Sequence, residues 1–334
     1  MNSSGITVKL GYLTPRELDA AGIDNRTLGL VAFGHRPQRE APQDCPYVWV
    51  DMPVLDGTTV FEVWHSDRPV IRETTDNIRT ARNEEMLFGC LQEDSDRSID
   101  AAGYDIYCRI FDLIDACGYS ELLRVWNYFP RINAVDDGLE RYRRFSVGRH
   151  DAFAAKNRHN GKEAPAACAL GSRSGPLTVC FLAGRTSGVA IENPRQVNAC
   201  DYPPQYGPRA PLFSRAMLCW PNGKPLLLVS GTASIVGHQT MHSGNAKEQA
   251  AETATNLMTV MAQARQCGFL PGSGAGLLLK AYVRHADQQP AIHAQLERSF
   301  GPAVNVVYLQ ADICRQDLLV EVEGVCLAGH ERSH

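Results

Sequence analysis

Leu318-Leu319-Val320-Glu321-Val322-Glu323-Gly324-Val325, close to the C-terminus, alternates with a period of two. As a β-strand it sets Leu319, Glu321, Glu323 and Val325 on one face and Leu318, Val320, Val322 and Gly324 on the other. The second face is wholly apolar or small and belongs on a core. The first carries two carboxyl groups between apolar neighbours, where partial desolvation would raise a carboxyl pKa and suit it to donate a proton near neutrality. Glu321 and Glu323 are therefore both candidate general acids. The plainer alternative is an amphipathic strand whose glutamates face water.

Working outward, residues 226–230 read as a strand, residues 231–244 as a polar loop, and residues 245–267 as a long helix with Ala250, Ala254, Leu257, Val260, Met261 and Ala264 on one face. A strand at 277–284 follows. The same grammar occurs earlier: Ser98 opens a helix with Ile106, Ile110, Leu113, Ile114 and Cys117 at helical spacing, Gly118 closes it, and residues 122–128 form a strand. Cys117-Gly118-Tyr119 is matched by Cys267-Gly268-Phe269, 150 residues later. The shared order of helix, glycine stop and strand predicts an internal duplication.

Each half then reads as α+β, a mixed sheet packed against one long and one shorter helix. The polar, turn-rich residues 156–176 place the boundary, giving domains at 1–155 and 156–328 and a polar tail at 329–334. Residues 5–90 contribute short β-like segments such as 28–33 and 47–50, and residues 77–94 show no clean period.

The chain has 334 residues, of which 44% are hydrophobic and 21% charged, with a formal net charge of −4. This is a globular composition without the basic footprint of a nucleic-acid binder, so a small-molecule ligand is expected. No apolar run approaches the roughly 20 residues of a membrane helix. Met1-Asn2-Ser3-Ser4-Gly5 also lacks the basic start of a secretory signal, so a soluble cytoplasmic protein without membrane association is expected. Eleven cysteines, an odd number scattered through apolar contexts with no CxxC spacing, read as buried thiols in a reducing compartment.

Two motifs fail on their context. His238-Gln239-Thr240-Met241-His242 has the i, i+4 spacing of a helical zinc site, but Gln239 stands where a glutamate base is needed and Gly237 and Gly244 oppose a helix. No metal site is expected. Gly272-Ser273-Gly274-Ala275-Gly276 follows a helix and precedes a strand, the reverse of a phosphate-binding loop. More telling are arginines interleaved with aromatics, in Arg141-Tyr142-Arg143-Arg144-Phe145-Ser146-Val147-Gly148-Arg149 and between Tyr202 and Arg215. Guanidinium forks and tyrosine hydroxyls suit a small cyclic acid with more than one carboxylate.

Together these stretches resemble the chorismatase family, within the wider group of YjgF/RidA-like proteins. The resemblance rests on Trp126-Asn127-Tyr128-Phe129-Pro130-Arg131-Ile132-Asn133, Gly148-Arg149-His150-Asp151-Ala152-Phe153, Tyr206-Gly207-Pro208-Arg209, Phe213-Ser214-Arg215-Ala216, Ser230-Gly231-Thr232-Ala233-Ser234, Tyr282-Val283-Arg284, and Cys314-Arg315 through Glu323. It implies two YjgF-like domains, the first degenerate and the second catalytic, in a homotrimer or a pseudo-symmetric single chain. The implied reaction is cleavage of chorismate to pyruvate and a ring product without a cofactor. Glu321 would protonate the enolpyruvyl methylene, with Glu323 its competitor on the same face. Cys314 and Ala233 are similar to the branch that forms 3- and 4-hydroxybenzoate for xanthomonadin and ubiquinone, where bulk at these positions would exclude a water. Arg149, Arg209, Arg215 and Arg284 are the implied carboxylate ligands, with Tyr206 as a hydrogen-bond partner. Rival readings are a chorismate hydrolase giving a dihydroxycyclohexadienoate, an imine or enamine hydrolase, which Asn305 and Val306 disfavour, and a non-catalytic binder of aromatic acids.

Overall fold

The structure, a computed structural model, describes residues 8–37, 44–94, 96–158, 164–269 and 276–327. The glycine-rich residues 272–275, residues 159–163 of the polar stretch and the tail at 329–334 lie outside these.

The fold is α+β, and three sheets turn one face each toward a common core. The N-terminal sheet has four strands in the order Val8–Leu13, Thr59–Ser66, Thr27–Gly34 and Tyr47–Val50, with the short helix α1, Pro15–Ala21, against it. A seven-stranded sheet follows, in the order Asp312–Ile313, Ala166–Ser172, Glu121–Pro130, Leu177–Gly184, Met86–Glu93, Ile78–Arg82 and Ile71–Thr75. Helices α2, Ile99–Ala116, and α3, Arg141–Ala155, cover its outer side through Ile106, Ile110, Phe111, Phe145 and Phe153. The third sheet runs Val189–Ile191, Ala216–Cys219, Leu226–Ala233, Val320–Leu327, Leu277–Val283 and Asn305–Gln310. Its outer side lies under α4, Ala246–Gln266, and α5, Gln289–Phe300.

The two larger sheets share one connection order. In each, the strand after the long helix pairs in parallel with the strand after the shorter helix: Glu121–Pro130 with Ala166–Ser172, and Leu277–Val283 with Asn305–Gln310. In each, the last strand of the unit then lies antiparallel between the post-helix strand and the pre-helix strand. Ala166–Ser172 and Leu177–Gly184 belong to the seven-stranded sheet, which Asp312–Ile313 joins at its edge from far along the chain, so the boundary expected at 155/156 lies between strands of one sheet. Turn-forming composition marked a connection within that sheet, not its edge. Residues 8–66 also form a sheet of their own.

The long helices begin and end as expected. Ser98 and Asn245 stand at the N-caps, the Asn245 side chain accepting from the Glu248 amide, and Gly118 and Gly268 leave α2 and α4 with φ of 74° and 89°. The shorter helix expected in the first half is α3; the sequence does not locate it, since its buried side includes Ser146, Gly148 and Arg149 and so lacks an apolar stripe. A Cβ on Gly148 would stand 1.9 Å from the Asp100 carbonyl oxygen, so glycine there sets the close packing of α3 on α2.

The alternating stretch is a strand only from Val320. Leu318, in a turn, joins the central core, whereas Leu319 packs beside Val320 and Val322 under α4 and α5, which reverses the faces expected for those two leucines. Neither face is wet. The strand is buried between helices on one side and the other sheets on the second, leaving Glu321 and Glu323 each 4% exposed.

Candidate active site

The carboxyl group of Glu321 opens onto a cleft of about 890 Å³ formed by the third sheet, the start of α3, the segment around 202–215 and the loop carrying Cys314 to Leu318. Strand register places Ala233 on one side of Glu321 and Tyr282 on the other. The pairing slips between Val229 and Thr232, and Gly231, beside that slip, makes room for the acid. A Cβ there would lie 1.9 Å from Glu321 Oε1, so the carboxyl occupies the space of a side chain at 231.

The two glutamates of the strand have opposite environments. Glu323 sits 2.9 Å from Lys280 Nζ and 2.5 Å from an Arg124 guanidinium nitrogen, and accepts from Trp126 Nε1 at 3.0 Å. Burial acts to raise its pKa, but Lys280 and Arg124 outweigh burial and hold it below the usual glutamate range. Glu321 has no such partner among the described residues; the polar contact to its carboxyl is Cys314 Sγ at 3.9 Å. Burial, reinforced by the Glu323 charge, pushes its pKa from 4.5 up to about 8, only partly offset by Arg124. One carboxylate is thus fixed in an ion pair and the other keeps its proton at neutral pH while facing a cleft. Burial also raises the Cys314 thiol far above the ordinary range, so Cys314 is a neutral wall and not a thiolate nucleophile.

The structure gathers most of the residues singled out in the sequence, but not all. Glu321, Cys314, Ala233, Tyr206 and Arg215 line the cleft. Tyr206 donates to the His238 carbonyl at 2.6 Å, and Arg215 donates to the Val197 carbonyl at 2.7 Å and the Tyr202 hydroxyl at 3.1 Å. Arg149 is buried behind the cleft in a small chamber of about 50 Å³ that it shares with Glu321, Asn127 and Cys168; its guanidinium stacks on Tyr107 and Phe153. Arg209 is half-exposed outside the cleft, 3.5 Å from Asp151. Arg284 is also absent from the lining: it donates to the Leu318, Ile313 and Arg315 carbonyls and pairs with Asp312 at 2.7 Å. Its place is to brace the loop that presents Cys314. The resemblance implies ligands at both arginines; here neither lines the cleft, and each pairs with an aspartate.

Arg315 was missed. Its guanidinium lies 4.1 Å from the Tyr206 ring and 5.3 Å from the Tyr202 ring, donates to the His238 carbonyl at 2.8 Å, and lines the cleft. The signal available was its position beside Cys314. Tyr142, Phe213, Gln205 and Gln239 also line the cleft. His238 lies in the turn of a short hairpin, Ile235–Val236 with Gln239–Thr240, and His242 follows it; His238 serves as partner to Tyr206. The cleft therefore offers a buried protonated acid, three arginines (Arg143, which is paired with Glu140, Arg215 and Arg315) and apolar walls, a composition suited to a small anionic compound.

Comparison with known proteins identifies the family. The family described as chorismatase FkbO/Hyg5-like, N-terminal, matches residues 62–183. A 3-hydroxybenzoate synthase of Streptomyces hygroscopicus is 35% identical over 84% of this chain and 86% of its own length. A chorismatase of Streptomyces rapamycinicus is 34% identical over 94% of this chain and 97% of its own. A crystal structure of a chorismatase superposes with a TM-score of 0.89 at 33% identity, covering 97% of this chain and all of the other. Similarity at this level along nearly the whole chain, joined to a buried acid in an arginine-bearing cleft, shows that the chain belongs to the chorismatase family.

Proposed function

We propose that this protein cleaves chorismate to pyruvate and a hydroxybenzoate, 3-hydroxybenzoate, 4-hydroxybenzoate or both, with Glu321 as the general acid. The observation that carries this reading is the division of labour between the two strand glutamates. Glu323 is consumed by Lys280 and Arg124, whereas Glu321 is buried, protonated at neutral pH and open to the cleft.

Glu321 gives its proton to the enolpyruvyl methylene, which becomes a methyl group and leaves an electron-poor ether carbon. The ring C–O bond then breaks with its electron pair moving to the ether oxygen, which departs as the carbonyl of pyruvate. The neighbouring ring hydroxyl closes on the vacated carbon, and its released proton replaces the one spent. Opening of that epoxide-like ring and loss of a ring proton restore aromaticity, so no water is consumed. Of the three arginines that line the cleft, Arg143 is paired with Glu140, and Arg215 and Arg315 hold the two substrate carboxylates. The Cys314 thiol and Ala233 methyl, on either side of Glu321, fill space that a hydrolytic water would need.

Incubation of the purified protein with chorismate tests this. Pyruvate with an equal amount of hydroxybenzoate is the expected result. Pyruvate with a dihydroxycyclohexadienoate would identify a hydrolase. Thermal protection by chorismate without pyruvate would mean a binder and reject the reaction.

A further inference from the structure

A second group of charges lies deeper than the cleft, where the three sheets meet. Glu62 comes from the N-terminal strand Thr59–Ser66, Arg124 from Glu121–Pro130, Lys280 from Leu277–Val283 and Glu323 from Val320–Leu327. Their relative exposures are 2%, 1%, 0% and 4%. They form one chain of contacts: Lys280 Nζ bonds Glu62 Oε2 and sits 2.9 Å from Glu323 Oε1, while Arg124 reaches Glu323 Oε2 at 2.5 Å. Trp64 Nε1 holds the other Glu62 oxygen at 2.8 Å, and Trp126 Nε1 bonds Glu323. Two cations are balanced by two carboxylates. Burial acts to lower the Lys280 pKa, yet Glu323 and Glu62 hold it well above the lysine range, and Lys280 remains charged.

Glu321 stands two residues from Glu323 on the same face, about 6.6 Å along the strand. The titratable and charged groups around it are Glu323 on its own strand, Tyr282 and Lys280 on the neighbouring strand, Cys314, Arg315, Asp317 and Arg284 about the loop, Arg124 and Tyr128 on Glu121–Pro130, Cys168 on Ala166–Ser172, Tyr142, Arg143 and Arg149 on α3 with Glu140 at its start, and Tyr202, Tyr206 and Arg215 across the cleft. Tyr12, in register with Glu62, completes the set at the junction. Without Glu62, the junction would hold two cations against the single carboxylate of Glu323. Glu321 would then be the neighbouring carboxyl able to supply the missing charge, and it could do so only by giving up its proton.

We propose that Glu62 is a positioning residue for catalysis: as the counter-ion of Lys280 it keeps the three-sheet junction neutral and so leaves Glu321 free to serve as a proton donor. This rests on the assignment of Glu321 as the acid. It also gives the N-terminal sheet a part in the chemistry although that sheet lines none of the cleft.

The test is the pH dependence of pyruvate release from chorismate in Glu62→Gln, Lys280→Gln and the double variant. A parallel infrared titration follows the protonated carboxyl band that Glu321→Gln removes. Glu62→Gln leaves a net positive junction, and both the alkaline limb of kcat and the band titration are expected to move to lower pH by about one unit. Lys280→Gln leaves a net negative junction and moves both to higher pH. The double variant is neutral again and returns both to the wild-type position. Should Glu62→Gln fail to fold, the upward shift in Lys280→Gln and its reversal in the double variant still decide the matter. Identical limbs in all variants, with changes only in stability or amount of active protein, would overturn the role of Glu62 while leaving Glu321 intact. Full activity in Glu321→Gln would overturn the acid assignment itself, and the role of Glu62 with it.

Discussion

Replacing Glu321 by glutamine should make this protein more stable and nearly inactive, and the amount of extra stability should depend on pH. In the folded chain the carboxyl ionises at about 8, against 4.5 when exposed. Between those values the folded state holds a proton that the unfolded state has released, so stability falls as pH rises across the interval. At about 1.4 kcal/mol per pH unit, Glu321 costs the folded state about 3 kcal/mol at pH 7 and about 5 kcal/mol above pH 8. Glutamine keeps the shape, carries no ionisable proton and escapes this cost. With an unfolding entropy of about 0.7 kcal/mol/K for a chain of this length, Tm of Glu321→Gln should exceed wild type by about 4 °C at pH 7 and about 1 °C at pH 5. Scanning fluorimetry at pH 5, 6, 7 and 8 measures the gap, and pyruvate release from chorismate should fall by about 10²- to 10⁴-fold. A Tm gap that does not change with pH, or turnover within tenfold of wild type, would refute the reasoning.

In the wild type, pyruvate release should decline as pH rises through about 8, because the ionised acid has no proton to give; a plateau extending to pH 10 would contradict this. Gly231→Ala sets a methyl 1.9 Å from Glu321 Oε1 and should lower kcat at least 100-fold, with circular dichroism showing the fold retained. Cys314→Ala opens the wall beside Glu321 to a water and should shift the product from hydroxybenzoate toward the dihydroxycyclohexadienoate, read by chromatography of the ring products. Arg315→Lys loses the stacking on Tyr206 and should raise KM for chorismate about tenfold with a smaller change in kcat, as steady-state kinetics would show.

Much of the fold was legible because its signals are local. Ser98 and Asn245 at helix starts, Gly118 and Gly268 at helix stops, and the apolar stripes between them specify α2 and α4 through backbone hydrogen-bonding needs that neighbouring residues satisfy. The period of two through Val320, Val322 and Gly324 likewise announced a strand. α3 was hidden because its inward face carries Arg149 and Gly148, residues chosen by a cation–π stack and a close helix crossing that no short window contains. The domain boundary expected at 155/156 lies between strands of one sheet for a related reason: strand order is decided by long-range pairing, and polar turns occur inside a sheet as readily as between two.

For the site, the sequence by itself determined that two carboxyl groups share one strand face near an arginine at 315 and a cysteine at 314, and through its resemblance to the chorismatase family it favoured Glu321. Only the tertiary structure separated the pair. Lys280, Arg124 and Glu62 come together from three different sheets around Glu323, while Gly231 vacates the space that Glu321 fills. A carboxyl pKa is set by the charges and the water within a few ångströms, and those neighbours lie tens to hundreds of residues away along the chain. The same holds for Arg209 and Arg284, whose partners Asp151 and Asp312 only the fold brings to them.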